Sequence, residues 1–155
     1  MYSDDKVVAL LAPAPAAGGH MMVVPREHFP IVEQVPDFVV GEMFCKANKL
    51  SVGIFEALGA QGTNLLLQNG VAAGQRHGHV ALHVIPRKEG DGLNLAWPPK
   101  QLSEEEMSTL ELKIKDAAKN VGAFEQEKPK PAEAKKPEEV SEAEEYLVNQ
   151  MRRIP

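Results

Sequence analysis

Three histidines fall within seven residues near the middle of the chain: His77, His79 and His83, in the stretch AGQRHGHVALHVIPR (73–87). Every second position from His77 reads His77, His79, Ala81, His83. An extended strand would carry these four side chains on one face, because strand periodicity is two. Near neutral pH an imidazole can act as nucleophile, general acid or metal ligand. Side chains two apart on a strand sit about 6–7 Å apart, a spacing that can grip one phosphoryl group. A metal centre would want a carboxylate or a third well-placed ligand. The nearest downstream acids lie beyond Arg87, so no metal and no cofactor is expected. Ala81 interrupts the row, and any catalytic reading has to account for it.

The residues before the histidines point toward phosphate. In QNGVAAGQR (68–76), Gly70 and Gly74 flank small alanines, so backbone N–H groups can approach an anion without side-chain obstruction. Gln68, Asn69 and Gln75 add amides, and Arg76 adds a charge suited to a phosphoryl oxygen. Taken alone, such a loop reads equally as an ordinary strand connection. Other candidates have plainer readings. His20 and His28 read as hydrogen-bonded loop anchors, Cys45 as a small hydrophobe in a core helix, and Trp97 as a loop anchor or a cover for a neighbouring subunit's site. Arg87 reads as part of a solvated turn within reach of a phosphate.

These residues must be held by surrounding elements. KVVALLA (6–12) and HMMVVP (20–25) read as buried strands joined through APAPAAGG (12–19). Asp37 is placed to cap a helix whose stripe is Met43, Ala47, Leu50, Ile54 and Leu58, stopped by Gly59. TNLLLQN (63–69) and HVALHVIP (79–86) read as two further strands. The second puts Val80, Leu82 and Val84 opposite the histidines. Ser103 and Glu106 form a capping box for a C-terminal helix that carries Met107, Leu110, Ile114, Ala117 and Val121 along one side and ends at Gly122. Strand pairs with helices between them indicate an α+β domain on an antiparallel sheet, with one long packing helix and a C-terminal helix.

Composition divides the 155 residues into a patterned domain over 1–124, a Pro/Lys/Glu-rich linker over 125–141, and a tail over 142–155. In the tail, Leu147, Met151 and Ile154 have helical spacing, which suits docking to a protein partner. A net charge of −5 argues against a general nucleic-acid surface. No apolar run is long enough to span a membrane, and the N-terminal stretch lacks a basic leader pattern. The single Cys45 excludes an intrachain disulfide and suits a cytoplasmic setting.

GGHMMVVPREHF (18–29) and the QNGVAAGQ and HVALHVIPR segments together resemble the histidine triad (HIT) family of nucleotide-binding proteins. The signature His-φ-His-φ-His-φ-φ, with φ apolar, falls on His79-Val80-Ala81-Leu82-His83-Val84-Ile85, with Gly74-Gln75 before it. The similarity runs from about Tyr2 to Trp97. It implies an α+β fold, a homodimer that continues its sheet across two subunits, and a site for a purine nucleoside phosphate. It also implies attack by the middle histidine on the α-phosphorus, giving a nucleotidyl-histidine that water hydrolyses.

The middle histidine is the residue missing here, since Ala81 offers neither nucleophile nor proton donor. Ala12 stands where the family has an Asp on the ribose hydroxyls. Gln68 stands where it has an Asn, with Asn69 adjacent, and Arg76 where a small hydroxyl residue is common. Departures spread over several positions favour natural divergence over one histidine replaced in an intact site. The resemblance therefore implies nucleotide binding through Gln68, Asn69, Gly74, Gln75, Arg76, His79 and His83, with the family's hydrolysis lost or strongly weakened. The alternative is an active phosphoramidate or dinucleoside polyphosphate hydrolase, either rerouted through His79, His83 or His77 or altered only at position 81.

Overall fold

The computed structural model describes residues 2–119 and 121–122. The expected linker over 125–141 and tail over 142–155 lie outside the described residues. Alternating burial along two short segments marks the start of the fold: β2 (Val7–Leu11) and β3 (Met21–Pro25) pair antiparallel, with Ala9 opposite Val23. A two-residue strand that the sequence pattern did not indicate, β1 (Tyr2–Ser3), adds to the β2 edge. Next come helix α1 (Asp37–Leu58), β4 (Gly62–Leu67), β5 (Leu82–Arg87) and helix α2 (Glu104–Ala117). The five strands form one sheet in the order β1-β2-β3-β5-β4 with antiparallel pairing throughout, the α+β architecture expected.

The core lies between one sheet face and α1. Val7, Ala9, Val23, Leu82 and Val84 point to that face and pack with Val39, Met43, Ala47 and Ile54 of α1. Met43, Leu82, Val7, Val23 and Val84 are fully buried, each worth about 1.5–3 kcal/mol relative to exposure. The helix stripe read from the sequence is thus buried at Met43, Ala47 and Ile54 and partly at Leu50, whereas Leu58 is exposed at the helix end. Gly59 closes α1 in the left-handed conformation (φ 58°), its N–H donating to the Phe55 carbonyl.

Four details differ from the sequence reading. Pro36 is the N-cap of α1 and gives no side-chain cap, and Asp37 is the first helical residue, where a carboxylate complements the helix dipole. β5 begins at Leu82 instead of His79, because residues 77–79 form a bend. The capping box at Ser103 and Glu106 is present, but α2 ends at Ala117, before the Gly122 stop expected for it. Met107, Leu110, Ile114 and Val121 are exposed and do not line a core contact.

Candidate functional site

The sheet face away from α1 carries the imidazoles. On β5, His83 lies in register between Met22 of β3 and Leu66 of β4, so its ring stands among apolar neighbours. His20, two residues before Met22, shares that face by strand alternation and is only 6% exposed. His20 Nε2 lies 3.0 Å from His83 Nδ1. The N–H of Ala16 donates to His20 Nδ1 at 3.0 Å. That bond places the neutral His20 proton on Nε2, which then donates to His83 Nδ1 and leaves His83 with its proton on Nε2. Both rings are held below the usual imidazole range. For His20 the cause is burial and then the neighbouring His83; for His83 it is burial and then the charge of His77. The pair offers a neutral, fixed N–H donor on the sheet surface.

His79 takes a different direction. Its Nε2 lies 3.0 Å from the Pro25 carbonyl, and its Nδ1 sits 3.4 Å from the N–H and 3.3 Å from the carbonyl of Phe29. Val80 N–H donates to the Phe29 carbonyl at 2.8 Å, tying the segment before β5 to the loop after β3. The ring of His28 stacks on His79, with centroids 5.1 Å apart and planes within 9°. Val80 is buried while His79 and Ala81 are half-exposed, so the alternation of β5 continues back to His79.

The loop before it is internally bonded. Gly70 and Gly74 have positive φ (84° and 87°) and bracket a single 3-10 turn, Val71–Ala73. The N–H groups of Ala73 and Gln75 donate to the Gly70 carbonyl, and that of Gly74 to the Val71 carbonyl. Gln75 receives Gly70 N–H on Oε1 at 2.7 Å and donates from Nε2 to the carbonyls of Pro30 (2.7 Å) and His77 (2.8 Å). Gln68 lies across Gly74 and donates to the Ala73 carbonyl. Asn69 accepts from Val32 N–H at 3.0 Å and donates to Glu33 at 2.7 Å. The amides at 68, 69 and 75 thus shape the loop, and the N–H groups of 73–75 turn inward. The N–H groups of Arg76, His77, Gly78 and His79 donate to no acceptor among the described residues.

The strand reading puts His77 in line with His79, Ala81 and His83 on one face. The bend over 77–79 takes it off that line. It is close enough to His83 for its charge to disfavour the His83 imidazolium. Arg76 is exposed beside it, and Arg87 is bonded to Asp91 and Asn64 at the far end of β5. His20 anchors its loop through Ala16, as the sequence indicates, but the sequence reading missed its contact with His83. Its one usable signal was its position two residues before Met22, on a strand that could neighbour the histidine strand. Among the described residues, no group of three or more His, Cys, Asp or Glu side chains is gathered for a metal ion.

Comparison with known proteins bears on the family and the fold. Residues 1–90 match the HIT domain. The chain is 39% identical over 102 residues to an adenylylsulfatase of Arabidopsis thaliana, covering 66% of this chain and half of that protein's length. It is 33% identical over 104 residues to an adenosine 5'-monophosphoramidase of Schizosaccharomyces pombe, covering 66% of this chain and 75% of the relative. Among solved structures, a HIT family protein from Bacillus anthracis superposes with a TM-score of 0.70 at 30% identity, over 77% of this chain and 86% of that one. A histidine triad nucleotide-binding protein from Candida albicans gives 0.68 at 25% identity, over 78% and 88%. The match to the HIT domain covers more than half of the 155 residues, and the chain belongs to the HIT family.

Proposed function

We propose that the protein binds a purine nucleoside phosphate on the histidine face of its sheet, and that the family's covalent hydrolysis is lost or strongly weakened. The observation that carries this reading is Ala81. It is half-exposed on the face shared by His79 and His83, where a nucleophilic imidazole would have to stand. His83, with its proton on Nε2, serves as a neutral hydrogen-bond donor to a phosphoryl oxygen. His79 borders the ligand but is anchored to Pro25 and Phe29, so it is poorly placed to attack phosphorus. Arg76 supplies a positive charge. Gln68, Asn69, Gly74 and Gln75 set the loop that presents it. Calorimetry with AMP tests binding. Turnover of adenosine 5'-phosphoramidate by wild type and Ala81→His tests the loss: activity is expected only in the variant. Strong wild-type turnover that disappears in His79→Ala or His77→Ala would instead establish a rerouted hydrolase.

The homodimer belongs to the same proposal. β4 ends the sheet and exposes Leu65. The Ser51–Thr63 hydroxyl bond (2.6 Å) sets α1 beside that edge, and Phe44, Val52 and Phe55 of α1 are exposed. An open strand edge next to apolar helix surface invites pairing with a second copy. Leu65→Lys should shift a dimer to monomer in sedimentation analysis. We place the protein in the cytoplasm, where nucleotides are abundant and the exposed free thiol of Cys45 stays reduced. Among the described residues no helix is long and apolar enough to cross a membrane. A partner for the 142–155 tail is part of the proposal, to be tested by binding assays on chains ending at 141.

A further inference from the structure

We infer that His77, with Arg76 beside it, makes this site select a phosphate monoester dianion over a singly charged phosphoryl group of the same shape. The inference rests on the nucleotide-binding reading above. Its basis is the bend at 77–79 and the bonds that hold it. Gln75 Nε2 grips the His77 carbonyl at 2.8 Å and approaches the His79 carbonyl at 3.4 Å, while its Oε1 is fixed by Gly70 N–H. The backbone at 77 is therefore pinned to the loop and turned off the strand line. Ala81 presents only a methyl group between His79 and His83 along the strand line.

The imidazoles at this end have different commitments. His20 and His83 hydrogen-bond to each other, and His79 bonds to the β3 loop. The His77 ring makes no hydrogen bond among the described residues, its backbone carbonyl alone being held by Gln75, so both ring nitrogens are open. It is exposed, next to exposed Arg76, within a run of four backbone N–H groups (76–79) without an acceptor among the described residues. A dianionic phosphate attracts the Arg76 guanidinium more strongly than a monoanion does, and it can accept a hydrogen bond from the open ring of His77. His83 cannot respond in the same way. Its Nδ1 already accepts from His20, and burial disfavours a charge there. The neutral inner donor gains less from added ligand charge than the open outer guanidinium does.

The test compares two ligands of nearly equal shape. AMP carries about −1.5 to −2 at pH 7, whereas adenosine 5'-phosphoramidate carries one charge fewer. Calorimetry on the full chain should show AMP binding about tenfold more tightly, the effect of one charge-assisted hydrogen bond. His77→Gln and Arg76→Gln should each weaken AMP several-fold, leave the phosphoramidate within about twofold and shrink the preference. Both keep the backbone carbonyl that Gln75 holds, and unchanged thermal unfolding confirms that the loop persists. Equal affinities in the wild type, or variants that weaken both ligands equally, overturn the inference while leaving nucleotide binding intact. Binding of neither ligand overturns the nucleotide-binding reading, and this inference with it.

Discussion

His20 and His83, 63 positions apart in sequence, meet ring to ring with Nε2 3.0 Å from Nδ1. With Ala16 N–H on the other nitrogen of His20, the three groups form a directional chain of hydrogen bonds that fixes the tautomer of His83. Replacing His20 by Phe leaves the Ala16 N–H and the His83 Nδ1 without partners. A loss of about 1–3 kcal/mol in urea unfolding is expected, with mixed His83 tautomers in nitrogen NMR. An unchanged midpoint and a single tautomer would show that the chain of bonds has no structural weight.

The same pair predicts how stability depends on pH. Both folded-state values lie below the ordinary 6.5, so as pH falls below 6.5 the unfolded chain takes up protons before the folded one. Stability should be flat above that point and decline below it. A second decline should begin under pH 3.8, because Asp4 and Asp91 are held low: Asp4 chiefly by the Val7 N–H, Asp91 chiefly by Arg87. Thermal midpoints measured across pH should show both limbs, and His20→Gln should flatten the upper one.

Gln75 directs its whole amide to the backbone of Gly70, Pro30 and His77. Gln75→Leu should lower unfolding free energy by about 1–3 kcal/mol and shift the amide resonances of His77 to His79. Gln75→Glu should be at least as damaging, because it turns an acceptor toward two carbonyls. Amide spectra that change only at position 75 would contradict the clamp.

Gly74 cannot be replaced cheaply. Its φ is +87°, and an added Cβ would come within 2.6 Å of Gln68 Nε2. Gly74→Ala should cost about 1–2 kcal/mol from the backbone conformation alone. Gly18 has open space around it and serves as control, so Gly18→Ala should be near neutral. Equal effects at the two positions would remove the argument for a constrained loop.

Much of the fold was legible in the sequence because it depends on short-range rules. Asp37–Leu58 repeats apolar residues at helical spacing and ends on Gly59, and β2 and β3 are short apolar runs bounded by Pro and Gly. The Ser103–Glu106 box reads directly, since both members lie within one helical turn. The apolar stripe of α2 reads just as clearly, but periodicity states that a face is apolar and not what it meets. Among the described residues that face is exposed.

The sequence by itself determined the HIT family, the α+β class and the placing of Ala81 between His79 and His83, because each follows from residue identity and local order. The commitments of the individual polar groups were decided only by the tertiary structure. Register beside β3 set His83 next to His20, and the β3 loop drew His79 to Pro25. Gln75 was turned inward and His77 was bent off the strand line. Hydrogen-bond partners far apart in sequence are selected by strand register and loop closure, which no local spacing encodes.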